Sequence, residues 1–211
     1  MKVKLRQQTS QPRDAEATKA RILDAAEEEF ASAGLSGART EAIASRTGVT
    51  KAMLYYYFQS KEQLYQAVLE RLFSDHILAV KDPAWDEGDP AQMLERYIRQ
   101  FLSRAARNPN IPAIVAYEAM QNKGKYYKEV GIISTYQTIA RILERGMQSG
   151  KFRQVDAYHA AVTIVGACVF YFCSRENIKH LWDDCDILSQ DMVNAHMDEA
   201  ARLIMKGLEA R

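Results

Sequence analysis

The sequence predicts an all-α chain: an N-terminal three-helix domain built on a helix-turn-helix, then a larger helical domain, about nine helices in total. Three observations carry that expectation. Apolar residues recur at steps of three and four along most of the chain, and no run of polar and apolar alternation marks a strand. The segment GARTEAIASRTGVTKAMLYYYF (Gly37–Phe58) has the form of two short helices about a glycine turn. The most apolar run, Ala160 to Cys173, is shorter than the ~20 residues a bilayer span needs, so it reads as a helix buried on all sides.

The totals fit this class. The 211 residues are 47% hydrophobic, enough for a packed core, and the net charge of +1 singles out no polyanionic partner for the chain as a whole. Charge is unevenly placed: Met1 to Arg13 carries Lys2, Lys4, Arg6 and Arg13 and no acid, so residues 1–14 are expected to form a flexible basic arm. That opening has no apolar core behind its charges, unlike a secretory signal. Cys168, Cys173 and Cys185 are too sparse for a disulfide framework and suit reduced thiols in the cytoplasm.

The elements follow in order. Ile22, Leu23, Ala26, Phe30 and Ala33 define a first helix that Gly34 should stop, with Glu27, Glu28 and Glu29 on a solvated face. Thr40 is expected to cap a short helix with Ile43 pointing inward, and Gly48 to make the turn, where a left-handed backbone costs glycine least. Thr50 should cap the helix Lys51–Tyr57, and Ser60 should start the next one, running toward Leu78. Lys81–Asp89 is a break, Pro90 opens a helix, and Asn108–Pro112 breaks again before a short helix to Gln121. One long helix is expected from Tyr126 to Gln148, an apolar helix from Asp156 to Ser174, a linker from Leu181 to Leu188, and a last helix from Ser189 to Leu208.

The chemistry concentrates around Gly48. The helix after the turn carries small, cationic and aromatic side chains, as a helix in a DNA major groove does. Thr50 lies at a helix start, where hydroxyl and backbone N–H groups bind phosphate. Lys51 can reach a phosphate or a guanine edge, Ala52 is small enough to let the helix sink into the groove, and Met53 can touch a thymine methyl. Leu54 and Phe58 should face inward. Tyr55, Tyr56 and Tyr57 point in different directions, so at most two can face DNA and the third should pack inside. Lys61 begins the next helix near where a phosphate would sit.

This segment resembles the DNA-binding domain of TetR/AcrR family transcriptional regulators. The match runs through Gly34, Ala38, Ile43, Ala44, Gly48, Val49, Thr50, Leu54, Tyr55, Tyr57, Phe58, Ser60, Lys61, Glu62 and Leu64. Departures are Arg39 where the family often has a capping Ser or Thr, Thr47 for a common alanine, and Ala52-Met53 for a common Gly-Thr. Thr40 can take the capping role that Arg39 lacks, and Arg39 can reach a phosphate or a minor groove. The resemblance implies DNA contacts from Thr40, Thr50, Lys51, Met53, Tyr55, Tyr56 and Lys61. It also implies a homodimer on a palindromic double-stranded operator, and the domain division 15–62 for DNA binding and 63–211 for ligand binding and dimerisation.

For the second domain the resemblance implies dimerisation through the last two long helices, at about 156–174 and 189–208, and a pocket for a small-molecule effector among the middle helices. Asn108 to Glu129 is loosely similar to a branch of the family that includes pyrimidine-responsive regulators. Tyr117, Glu118 and Gln121, at helical spacing, are candidate polar contacts, and Phe101, Tyr136, Val165 and Val169 a candidate lining; ordinary core packing is the competing role for each. His180, Asp183, Asp184 and Cys185 match no metal-ligand spacing, and no cofactor or catalytic motif is evident. The expectation is a cytoplasmic repressor released by its effector, neither an enzyme nor a membrane protein. An activator, or a small-molecule carrier with a vestigial helix-turn-helix, stands beside it.

Overall fold

A computed structural model of the chain describes residues 12–80, 82–183 and 185–210. Among them are eleven α-helices and two 3-10 turns, with no strand beyond a single bridge between Phe152 and Glu209. Residues 1–11, most of the expected basic arm, lie outside the described residues, as does Asp184. The chain divides into two compact units, one up to Val68 and one from Leu69 onward.

The first unit holds α1 (Pro12–Gly37), α2 (Thr40–Thr47), α3 (Lys51–Phe58) and the start of α4 (Lys61–Val80). Pro12, expected in the arm, instead opens α1, where its missing N–H costs nothing. Gly34 interrupts α1 at φ 67°, ψ −178°, and a short helical stretch follows it rather than a clean stop. Ile22, Ala26 and Phe30 of α1, Ile43 of α2, Leu54 of α3, and Leu64 and Tyr65 of α4 form the core, with Phe30 and Tyr65 packed edge to face at 4.9 Å. The acids of α1 are more than a solvated face. Glu27 is buried, and Glu29 accepts the backbone N–H of Arg39 at 3.0 Å, tying α1 to the start of α2.

The second unit adds a 3-10 turn (Pro83–Asp86), α5 (Pro90–Arg107), α6 (Asn110–Asn122), α7 (Lys125–Glu129), α8 (Ser134–Gln148) and α9 (Ala157–Cys173). It ends with α10 (Arg175–Ile178), a second 3-10 turn (Lys179–Trp182) and α11 (Gln190–Leu208). Its core packs Leu94, Ile98 and Leu102 of α5 against Ile139 and Leu143 of α8, Ile164, Cys168 and Phe172 of α9, and Ala200 and Leu208 of α11. The single long helix expected from Tyr126 to Gln148 is broken into α7 and α8. Gly131 at φ 76° turns the chain there, and the Ser134 hydroxyl donates to the Gly131 carbonyl at 2.9 Å. The expected linker is partly helical, as α10 and the second 3-10 turn. These divisions, and the 3-10 turn at Pro83, account for the count above nine.

The helix α9 also corrects an expectation. Its N-cap is Asp156, which accepts the His159 N–H at 2.8 Å, but it is not buried all round. Tyr158, Val162 and Phe170 stand exposed at steps of four and eight along one side, and Leu203 of α11 is exposed as well.

The turn between α8 and α9 rests on a close approach. Lys151 and Phe152 both donate their N–H to the Gly146 carbonyl, at 2.9 and 3.0 Å. The Phe152 ring lies in the core against the α-carbon of Gly146, so a Cβ there would overlap it. Gly146→Ala is therefore expected to lower unfolding stability by about 1–3 kcal/mol, the usual cost of overpacking. Urea unfolding of both proteins measures this, and an unchanged midpoint would mean that the ring moves aside freely.

Candidate nucleic-acid interface

Two local devices set the entry to α3. Gly48 closes α2 in the left-handed region (φ 71°, ψ 13°), with open space where a Cβ would be. Thr50 then accepts the Met53 N–H at 3.1 Å on its hydroxyl, satisfying one of the first free donors of α3. At the other end Gln59 takes φ 58°, an uncommon value for a non-glycine residue, and stops the helix. The capping role expected of Thr40 is not seen. Arg39 occupies the cap position of α2 without a side-chain bond, and Thr40 is a buried first-turn residue.

The eight residues of α3 divide cleanly. Leu54 and Phe58 are buried, while Lys51, Ala52, Met53 and Tyr56 are exposed, Tyr56 at 82%. No tyrosine of the triplet packs fully inside: Tyr55 and Tyr57 are half-buried, and Tyr57 meets Tyr56 edge to face at 5.5 Å. The Tyr55 hydroxyl lies 3.4 Å from the Thr40 hydroxyl. An open notch of about 430 Å³ gathers Arg39, Thr40, Tyr55 and Lys61 beside Glu41 and Glu62.

The cations are partly committed. Lys51 forms a close ion pair with Glu41, which raises the lysine's proton affinity and holds the carboxyl of Glu41 below its ordinary range. The Lys51 ammonium also lies 5.9 Å from the Tyr55 ring centre. Lys61 donates to the carbonyls of Ser36 and Ala38, at 3.4 and 3.2 Å, so it satisfies backbone acceptors at the end of α1, after the Gly34 kink. Arg39 is exposed. A phosphate arriving at Lys51 must compete with Glu41, a carboxylate whose place beside that lysine the helical pattern alone did not reveal.

In the second unit, a small, partly open cavity is lined by Phe101, Val165 and Val169, three of the expected residues, together with Phe73, His76, Arg104, Ile132 and Thr135. The others lie elsewhere. Tyr136 and Glu118 border a separate groove, and Tyr117 and Gln121 line neither space. Glu118 is a buried helix cap: its carboxylate accepts the N–H groups of Tyr126 and Tyr127 at 2.8 and 3.3 Å and the Asn122 amide at 2.5 Å. It satisfies the free donors at the start of α7, a task that sequence spacing did not disclose. Sequence reasoning missed His76, Arg104 and Thr135, which come from three helices and share no motif. Among the described residues no group of three or more His, Cys, Asp or Glu could hold a metal ion, and no single helix is long and apolar enough to cross a membrane.

Comparison with known proteins places this geometry. Residues 22–68 match the family of bacterial regulatory proteins described as the tetR family, and residues 90–204 match the tetracyclin repressor-like C-terminal domain. The HTH-type transcriptional repressor NicS of Pseudomonas putida is 29% identical over 78% of this chain and 80% of its own. The HTH-type transcriptional regulator RutR of Escherichia coli is 26% identical over 92% of each. The crystal structure of the regulator SCO4942 from Streptomyces coelicolor shares the fold, with a TM-score of 0.71 at 22% identity over 92% of this chain and 99% of its own. Fold and matches together define an all-helical, helix-turn-helix DNA-binding transcriptional regulator. The chain belongs to the TetR family.

The cavity has a consequence for acid stability. His76 accepts or donates a bond with the Thr135 hydroxyl at 2.8 Å, and burial, followed by the nearby Arg104 charge, lowers its pKa from 6.5 to about 4. The unfolded chain takes up this proton near pH 6.5 and the folded chain only near pH 4. The stability tied to neutral His76 is therefore complete above that window and is lost as pH falls through it, by about 3 kcal/mol. Urea unfolding at neutral pH and at about pH 4.5 should show His76→Gln losing less stability on acidification than the parent. Equal losses would contradict a neutral buried His76.

Proposed function

We propose that the chain is a cytoplasmic repressor that occupies a palindromic operator as a homodimer and leaves it when a small molecule binds the C-terminal domain. The observation that carries this reading is the two-sided α3: Leu54 and Phe58 anchor it, and Lys51, Ala52, Met53 and Tyr56 are presented outward. Such a helix can enter a major groove with its small residue closest to the bases. Thr50, at the α3 cap, is placed to offer a hydroxyl to a phosphate. Arg39, Thr40 and Tyr55 around the open notch supply further backbone contacts. Lys61 supports this surface through its bonds to Ser36 and Ala38 and adds charge beside it. We assign DNA binding to residues 15–62, and ligand binding and dimerisation to residues 63–211.

The homodimer reading is supported by the uncovered apolar side of α9, where Tyr158, Val162 and Phe170 align, and by Leu203 on α11. A second copy related by a two-fold axis can cover the same surface on both chains, and a two-fold dimer matches a palindrome. The repressor reading follows the name of the similar NicS protein. Release requires the effector to bind two states with different affinity, since equal affinity shifts nothing. The helix α4 suits such coupling: it starts at Lys61 and carries His76, a residue of the cavity lining. Its displacement would change the separation of the two α3 helices in the dimer.

Tyr56→Ala and Met53→Ala remove exposed atoms and leave the core intact, so both variants should fold and dimerise as the parent does. Each is expected to weaken binding to the operator about tenfold, of the order of one lost base contact. Fluorescence anisotropy on operator duplexes, with random-sequence DNA as control, measures it. Parent-like affinity in both variants would mean that this face of α3 does not read the bases.

A further inference from the structure

Two spaces in the second unit meet at three residues. The partly open inner cavity is small, about 40 Å³, room for about three water-sized groups. Beside it runs an open groove of about 690 Å³ along α5. His76, Phe101 and Arg104 line both, so they form the border between an apolar interior and a polar exterior. The interior side is otherwise apolar or neutral, with Ile132, Val165 and Val169 among its walls.

The charges at that border single out one cation. Arg96 lies over the Trp85 ring at 4.4 Å, and Arg99 is paired with Glu95 at 3.0 Å and Asp198 at 2.7 Å. Arg107 is exposed on the outer groove. Arg104 reaches inward: it bonds the Leu72 carbonyl, burial disfavours its charge, and Asp75, which lines neither space, favours it. His76 is neutral near pH 7, so among the described residues Arg104 is the only cation on the cavity wall at that pH. A second observation points to the same place. The Tyr97 hydroxyl, on a residue 3% exposed that borders the groove, makes no hydrogen bond of good geometry among the described residues, although the Thr135 side chain lies close enough to interact with it. A buried hydroxyl without a well-made bond is costly, and an accepting ligand oxygen removes that cost.

The geometry points to a short, branched hydrophobic monocarboxylate as the molecule this unit binds, with its carboxylate on Arg104 and Tyr97 at the border and its branched apolar end against Phe101, Ile132 and Val165. This assignment rests on the ligand-responsive reading given above. A carboxylate accepts from both a guanidinium and a phenol, and pairing with a partly desolvated arginine is stronger than a neutral hydrogen bond. A neutral heterocycle or amide offers Arg104 no opposite charge beyond that of Asp75. A long chain exceeds the cavity.

Calorimetric titration of the full-length protein with isobutyrate and isovalerate, against isobutyramide and isovaleramide, tests this. The acids should bind, at least about tenfold more tightly than the amides. Arg104→Gln should remove that preference, Arg104→Lys should keep most of it, and Tyr97→Phe should weaken the acids severalfold. If Arg104→Gln fails to fold, the acid-to-amide ratio in the parent and the Lys and Phe variants still decide. Amides binding as well as acids, no saturable binding by either acid, or a preference untouched by every variant would overturn the assignment. Operator affinity measured in the same samples separates it from the broader reading. Acids that bind as expected yet leave DNA affinity unchanged support this site and contradict effector release. A different compound that releases DNA while the acids fail to bind does the reverse.

Discussion

The surface proposed to face DNA depends on how α3 is held. Two side chains, Leu54 and Phe58, lock one side of an eight-residue helix into the core built by α1, α2 and α4. Burying each contributes about 1.5–3 kcal/mol, which a helix too short to be stable alone needs. The left-handed Gly48 and the Thr50 cap fix where the helix starts, and Gln59 fixes where it stops. With ends and inner side determined, the outward residues have no freedom to be elsewhere: Ala52, Met53 and Tyr56 face away from the core because Leu54 and Phe58 face into it. Polar contacts refine this placement rather than create it. The Lys51–Glu41 pair is exposed, and pairs of that kind add little to stability.

The second unit works by a different division. The α9 helix gives Ile164, Val165, Cys168 and Phe172 to its own core and leaves Tyr158, Val162 and Phe170 uncovered. Between α4, α5, α8 and α9 the packing is incomplete and partly polar, around His76, Arg104 and Thr135. Groups that are expensive to bury are held there by a few specific bonds, and a phenol without a well-made bond lies close by. In a protein that needed only a stable core, apolar residues of similar size would serve better.

The sequence made the helix-turn-helix legible because its signals are local. Gly48, Thr50 and the Leu54–Phe58 spacing each act within a few residues, and the structure shows each in the expected place. The cap of α2 was misread because Thr40 has the right side chain one position late: Arg39 takes the extended backbone and Thr40 is already helical. The break between α7 and α8 was hidden because apolar residues keep helical spacing across Gly131, while the turn is set by its backbone. The cavity was only partly visible. Phe101, Val165 and Val169 follow from apolar faces, but His76, Arg104 and Thr135 are 28 or more positions apart and meet only through packing. Glu118 was a candidate ligand contact because it shares helical spacing with Tyr117 and Gln121; its backbone partners, the N–H groups of Tyr126 and Tyr127, lie beyond the next turn.

We hold that this α3 surface reads a specific palindrome. The most direct measurement is selection of fragments bound by the purified full-length protein from genomic DNA of its source, sequenced after washing at physiological salt. The account predicts a recurring palindrome whose half-site centres lie one helical turn, about 34 Å, or a multiple of it apart. Recovery of fragments with no common sequence, retained only weakly and lost as salt rises, would be backbone attraction alone and would contradict the account.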